Sequence, residues 1–437
     1  MSSWAEGSSG ARPAWRRGRT GHVGCNRRVN YQLRSVDDQL ARVLDGVRPL
    51  NPIDVGLTDA RGCILAEDVV APWPLPPFDN SAMDGYAVVA ASVANASRAN
   101  PIRLKVIDDV PAGSRPRATI GPGVAARIMT GAPMPYGADA VVPVEQTDAG
   151  MPVVTVVEPV RVGGSVRRAG DDVHQGAVVL KAGTVMDARQ AALAAAVGRG
   201  RVVVHPRPRV VVLTTGSELV EPGRKLGPGQ INDVNGLALA VAAAELGAEA
   251  YRVGPVPDDP GLLSDALEDQ LVRADLIVTT GGVSAGAYDT VKAVLSRLGA
   301  VEFVRVAMQP GMPQGYGQIG GVPIFTLPGN PVSAYVSFEV FVRPVLRRML
   351  GASEIFRPTV EATVTVPFES PADKRQFARG QLARAAEGYL FHPSSAQASH
   401  QVGVLAHANG LVVVPEGVTS VPAGSRLPVL PLDVDAP

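Results

Sequence analysis

ADLIVTTGGVSAGAYDTVKAVLSRLG, residues 274–299, sets the expected architecture of this chain. It reads as an apolar strand, a glycine turn at Gly281-Gly282, and a helix whose apolar residues recur at helical spacing. Glycines in such a turn let backbone N–H groups approach an anion closely, and the helix N-terminus adds positive potential. Ser284 adds a hydroxyl, Lys292 a positive charge and Asp289 a carboxylate. A carboxylate does not cradle phosphate; it suits a Mg²⁺ ion or proton handling. The stretch therefore predicts a phosphorylated ligand held beside an acid at the end of a strand.

The same rhythm continues on both sides. VVVLTTGSEL, the helix NGLALAVAAAELGAEA, YRVGPVPDD, the helix GLLSDALEDQLVRA and the strand PIFTLPG alternate from Arg209 onward, and NPVSAYVSFEVFVRPVLRRML closes the unit. Such alternation predicts a parallel sheet covered on both faces, with ligands at the carboxyl ends of its strands. Nearer the N-terminus, SVDDQLARVLDGV predicts a serine-capped helix from Ser35, and a proline-dense stretch then suggests a crossing between domains. Short Val/Ile-rich segments between about residues 85 and 180 have all-β spacing, and ARQAALAAAVGRG (188–200) returns to helix. Beyond Arg357-Pro358 a small all-β unit is expected. The fold class is thus multidomain α/β plus β.

Composition narrows the function. The 437 residues carry 41 basic and 41 acidic side chains, so no global charge steers the chain to nucleic acid or to an anionic membrane. No apolar run reaches the roughly 18–20 residues needed to span a bilayer. The two cysteines, Cys25 and Cys63, form no framework or metal spacing, which fits a reducing cytoplasm. The first thirty residues, rich in Gly, Ser and Arg, are expected to be a disordered extension. HExxH, CxxC and GxxxxGK[ST] are missing, which argues against a kinase or P-loop NTPase.

Four loops follow strands of the α/β unit: TTGSEL (214–219), PDDP (257–260), GGVSAGAYD (281–289) and LPGNPVS (327–333). One acid alone could be a helix cap or a solvated loop residue. Three on one rim, Glu218, Asp258 and Asp289, would repel one another unless a cation joined them, and Mg²⁺ is the economical one. Pro328 and Pro331 fix φ on both sides of Gly-Asn, giving a rigid turn that opens a helix. PPFDNSAMDGYAV (76–88) gathers Asp79, Asn80, Ser81 and Asp84, either a turn network or a second polar site. RIMTGAPMP (127–135) and RRAGDDV (167–173) read as loops.

PPFDNSAMDGYAV, IMTGAPMP, TTGSEL, GQINDVNG, GGVSAGAYDTVK and LPGNPVSAYVSFE, in this order, closely resemble the MoeA family, the molybdopterin molybdenumtransferases of molybdenum cofactor biosynthesis. The resemblance runs from about residue 35 to about residue 432. It implies a transferase that inserts molybdate into adenylylated molybdopterin, releases AMP and uses a divalent cation. It also implies an elongated four-part subunit in a head-to-tail homodimer, with the adenylylating enzyme of the pathway as a further partner. After an extension at 1–33, the parts would be a linker domain (34–70 and 176–206), a β-rich domain (71–175), the molybdopterin-binding α/β domain (207–357) and a C-terminal β-barrel (358–437).

Carried over by position, Asp289, Glu218 and Asp258 would line the pterin-phosphate and metal pocket with Gly281, Gly282, Ser284 and Lys292, shaped by Pro328 and Pro331. Asp84 and Thr130 would enter from the partner subunit, with Asp172 nearby, and Arg379 and Ser399 would approach from the barrel. Many family members carry the pattern K-x-x-x-K-P-G-K-P before the LPGNP strand. Here the segment reads Arg305-Val306-Ala307-Met308-Gln309-Pro310-Gly311-Met312-Pro313. Arg305 can still grip an oxyanion, whereas Gln309 and Met312 supply no charge. A non-catalytic carrier of the pterin is the alternative that this departure leaves.

Overall fold

The computed structural model describes residues 33–281 and 288–433, without the side chains of 288–290. The expected N-terminal extension, apart from its last residue, lies outside the described residues. So do Gly282, Ser284 and the side chain of Asp289.

The α/β unit is a six-stranded sheet in the order Glu249–Val256, Arg209–Thr215, Leu276–Thr280, Val322–Leu327, Pro313–Ile319, Ala300–Arg305. The first four strands are mutually parallel, and Pro313–Ile319 runs antiparallel to both neighbours. Strand residues alternate between two cores. Val210, Val212, Leu276 and Val278 pack toward helix Asn235–Glu245 and the C-terminal helical run. Val211, Leu213 and Ile277 pack toward helices Pro260–Leu271 and Tyr288–Leu298. Burial on both faces makes these strands continuous apolar runs.

The edge hairpin Ala300–Arg305 and Pro313–Ile319 is absent from the sequence expectation, which has only PIFTLPG after the Tyr288–Leu298 helix. Its signal is hidden by glycine. A Cβ at Gly317 would lie 1.9 Å from the Ala300 carbonyl oxygen, and one at Gly315 would meet the Phe303 ring at 3.0 Å. Close backbone approach excludes the side chains that would mark a strand.

The closing helical run is Pro331–Ser337, a π-helical turn at Phe338–Val342, then Arg343–Met349. Pro344 has no N–H to give to the preceding turn, and a π turn absorbs the missing bond. Helix Val36–Leu44 is capped by Ser35, whose hydroxyl accepts from Asp38 N at 3.0 Å. It packs on the α/β core, where Tyr316 donates to the Val43 carbonyl at 3.0 Å, and Arg375 of the barrel reaches back to Asp37 at 2.8 and 2.9 Å.

Strands Ile53–Gly56, Arg201–His205 and Ile64–Leu65 form a small sheet over the core of Cys63, Leu65, Met186 and Val204. The β-rich part is a five-stranded sheet, ordered Ala140–Pro143, Gly85–Val88, Val124–Ile128, Ile102–Val110, Val153–Val156. At the C-terminus, Arg375–Ala385, Gly388–Pro393, Val360–Val364, Arg426–Pro431 and Gly410–Val414 pair in a ring, because the last strand also pairs with the first. Closure joins the first and last strands of the ring. Met308–Gln309, between the two strands of the edge hairpin, adds to it in parallel.

Candidate functional site at the carboxyl rim of the sheet

The four parallel strands bring the described parts of all four expected loops to one rim. Thr215 ends one strand and Thr280 its neighbour, so Gly281 lies directly against the Thr215 main chain. Gly281 has φ +99°, and a Cβ there would stand 2.2 Å from the Thr215 carbonyl oxygen. Only glycine fits this turn. Asp258, after the edge strand, joins the same rim through Ser217: Ser217 N donates to Asp258 Oδ2 at 3.3 Å, and Asp258 N donates to Ser217 Oγ at 3.2 Å. The Glu218 carboxylate folds back over Gly216, with both oxygens 2.8 Å from where a Cβ on that glycine would sit. Glu218 and Asp258 are therefore neighbours on adjacent loops, and neither forms an ion pair among the described residues. Asp289, the third member of the expected trio, has its side chain outside the described residues. Among the described residues no three His, Cys, Asp or Glu side chains gather as a metal site.

The turn at 327–333 closes the rim as expected of two prolines flanking Gly-Asn, with Pro331 at the first turn of helix Pro331–Ser337. Asn235 fixes its position. The Asn235 amide donates to Thr280 Oγ1 at 2.8 Å and to the Gly329 carbonyl at 2.7 Å, tying a strand end to the proline turn. Asp233, buried, accepts from Thr214 Oγ1 at 2.9 Å and from Gly236 N at 2.9 Å, and lies 3.4 Å from Arg252 Nη2. Arg252 in turn holds Glu221 through two bonds of 2.9 and 3.0 Å. These residues escaped the sequence reading, since an Asp and an Asn before an Ala/Leu helix look like ordinary caps. Asp233 does cap; Asn235 is spent on the rim instead.

From the barrel, Ser399 reaches this turn: Asn330 Nδ2 donates to Ser399 Oγ at 2.9 Å, and Val332 N donates to the Ser399 carbonyl at 3.1 Å. Arg379 acts one step back. It is 1% exposed, and its guanidinium is spent on the Ala398 and Ala396 carbonyls and on Gln397 Oε1. Burial lowers its pKa. Its geometry makes it the brace of the loop that presents Ser399. Arg305 ends the outermost strand at the carboxyl edge, where Arg34 N donates to its carbonyl at 2.9 Å. Lys292 is exposed in the Tyr288–Leu298 helix. Gln309 lines a cavity against the barrel wall. Met312 lends its carbonyl to Val306 N at 2.7 Å.

The polar loop 76–88 is braced within the β-rich part. Asp79 accepts from Ala169 N at 2.8 Å and from Arg168 at 2.5 Å, and the Ala169 bond, then Arg168, holds its carboxyl below the usual range. Asp84 and Thr130, far apart in sequence, form one exposed unit: Thr130 N and Oγ1 donate to Asp84 Oδ1 at 2.7 and 2.8 Å. Those two bonds lower the Asp84 pKa, so it is a carboxylate at neutral pH. Asp172 is exposed, and its N–H donates to the Leu75 carbonyl at 3.0 Å.

A doubly wound α/β domain, with a glycine turn, two acids and a rigid proline turn on its carboxyl rim, defines a class of anion- and cofactor-binding proteins. Three family profiles cover the chain: "MoeA N-terminal region (domain I and II)" over 34–198, "Probable molybdopterin binding domain" over 211–348 and "MoeA C-terminal region (domain IV)" over 361–432. The chain is 47% identical over 403 residues to molybdopterin molybdenumtransferase 2 of Mycobacterium tuberculosis, covering 91% of this chain and 99% of that protein. It is 34% identical to the molybdopterin molybdenumtransferase of Bacillus subtilis over 90% of this chain and 93% of that one. A crystal structure of a molybdopterin biosynthesis MoeA protein from Pyrococcus horikoshii superposes with TM-score 0.78 at 36% identity, covering 92% of this chain and all of that one. This chain belongs to the MoeA family.

Proposed function

We propose that this protein is a molybdopterin molybdenumtransferase, inserting molybdate into adenylylated molybdopterin with release of AMP. The observation that carries the reading is the rim itself: Glu218, Asp258, Gly281 and the 327–333 turn converge there, and Ser399 of the barrel closes on Asn330. The names of the family relatives support the substrate class. In this reading the Gly281 turn and Arg305 bind anionic oxygens. Glu218 and Asp258 are hard oxygen donors without ion-pair partners among the described residues, a set that suits Mg²⁺ bound through one or two carboxylates and substrate phosphates. Bound there, the ion would neutralise charge developing at phosphorus as the bond to AMP breaks. Asn235 and the Arg379-braced loop would hold the pocket walls in place, and no protein nucleophile is assigned.

We further propose that the exposed Asp84–Thr130 pair completes this rim from a second subunit of a homodimer, with Asp172 beside it. The division into extension, linker, β-rich, α/β and barrel parts at 1–33, 34–70 with 176–206, 71–175, 207–357 and 358–437 belongs to the same proposal. So do a cytoplasmic location and an encounter with the adenylylating enzyme of the pathway. Glu218→Gln and Asp258→Asn are each expected to slow molybdate-dependent AMP release by about 100-fold or more, with Mg²⁺ dependence shifted to higher concentration. Wild-type rates and Mg²⁺ response in both variants would reject the assignment.

A further inference from the structure

The two acids of the rim stand on separate loops, and their spacing depends on how the 216–233 segment is held. This segment leaves the rim after Thr215, carries Glu218 and returns at Asp233. No residue from 217 to 232 is buried, so apolar packing does not fix it. Its two arms are joined to each other: Ile231 N donates to the Glu218 carbonyl and Asp233 N to the Val220 carbonyl, each at 2.9 Å. Side chains tie the pair of arms to the edge strand.

One tie lies at the rim, where Ser217 and Asp258 exchange exposed hydrogen bonds of 3.3 and 3.2 Å. The other lies below it. Arg252 sits level with Val212 on the edge strand Glu249–Val256, the strand that leads to Asp258. Its Nη1 donates to Glu221 Oε1 at 2.9 Å and its Nη2 to Glu221 Oε2 at 3.0 Å, on the outgoing arm. The same Nη2 lies 3.4 Å from Oδ2 of buried Asp233, on the returning arm. One guanidinium thus pins both arms of the Glu218 loop to the strand that presents Asp258. Its planar fork holds two acids in one geometry, which a lysine ammonium on a flexible stem does not.

We infer that Arg252 and Glu221 are positioning residues that set the separation of Glu218 and Asp258, and with it the affinity of the rim for a divalent cation. The inference rests on the metal role given to those two acids under Proposed function. It gives control of that metal site to an ion pair that acts through Glu218 from below the rim.

Mn²⁺ takes the same oxygen ligands as Mg²⁺, and its binding to the full chain in the presence of AMP is read by electron paramagnetic resonance. Glu221→Gln is the main variant, because Asp233 keeps its buried bonds to Thr214 and Gly236 when the clamp is removed. It should weaken Mn²⁺ binding by about tenfold, the usual size for a group that orients a metal ligand, and leave metal-free binding of a pterin monophosphate unchanged. Arg252→Lys should weaken Mn²⁺ binding similarly, and Glu221→Asp, which keeps the charge, should restore part of the loss. In a Glu218→Gln background Glu221→Gln should weaken it no further, since the clamp works through Glu218. A purely structural pair would lower the melting temperature and leave Mn²⁺ affinity at the wild-type value; that result, or additive losses in the double variant, overturns the assignment. Wild type binding Mn²⁺ no better than Glu218→Gln and Asp258→Asn removes the metal role itself. Wild type binding it better than both, with Glu221→Gln equal to wild type, removes the clamp alone.

Discussion

Asn235 shows how a single side chain holds the candidate site together. Its amide spans a strand end and the proline turn, at 2.8 Å from Thr280 Oγ1 and 2.7 Å from the Gly329 carbonyl. Asn235→Ala should cost about 1–2 kcal/mol in urea unfolding and slow AMP release by about tenfold, with the far-UV spectrum unchanged. Unchanged stability and rate together would mean the turn holds itself. At this scale the sequence shows acids and glycines more readily than braces. Glu218, Asp258 and Gly281 stand out because a turn after a buried strand is where ligands bind, and the structure puts them on one rim. Asn235, Asp233 and the bracing role of Arg379 stay hidden because their partners lie many residues away: Thr280, Thr214 and the 396–398 carbonyls.

Periodicity decides which elements are legible. The helices Val36–Leu44, Asn235–Glu245 and Pro260–Leu271, and the buried Val/Ile strands, all follow from the spacing of apolar residues and from caps such as Ser35 and Asp259. The edge hairpin does not, because its two central glycines are set by contact with Ala300, Val301, Phe303 and Thr326 across the sheet. That contact makes a sharp prediction. Gly317→Ala would place a methyl 1.9 Å from the Ala300 carbonyl oxygen and 2.6 Å from Val301 Cα, against backbone on both sides. It should destabilise the chain by about 3 kcal/mol or more, read as a lowered thermal midpoint. An unshifted midpoint would show that the hairpin can slide apart without cost. The hairpin matters for the site because it ends at Arg305 and leads through Met308–Gln309 into the barrel.

Across the whole molecule, helix Val36–Leu44 and the Met308–Gln309 strand link the α/β domain to the barrel, so the rim is framed by segments from both ends of the chain. The exposed Asp84–Thr130 pair belongs to the β-rich sheet, and its hydrogen bonds stay there. If it completes the rim of a second subunit, Asp84→Ala and Glu218→Gln proteins, each nearly inactive alone, should recover about a quarter of wild-type activity when refolded together, since about half of the dimers are mixed and each mixed dimer carries one intact site in two. No recovery would place all the reacting groups in one chain. Motif order made the family legible, whereas the meeting of Ser399 with Asn330 depends on tertiary packing that no local pattern encodes. The most direct measurement is AMP release from adenylylated molybdopterin by purified wild-type protein, with and without molybdate. A molybdenumtransferase releases AMP with multiple turnovers only when molybdate is present; tight pterin binding with no molybdate-dependent AMP would contradict it and leave a carrier.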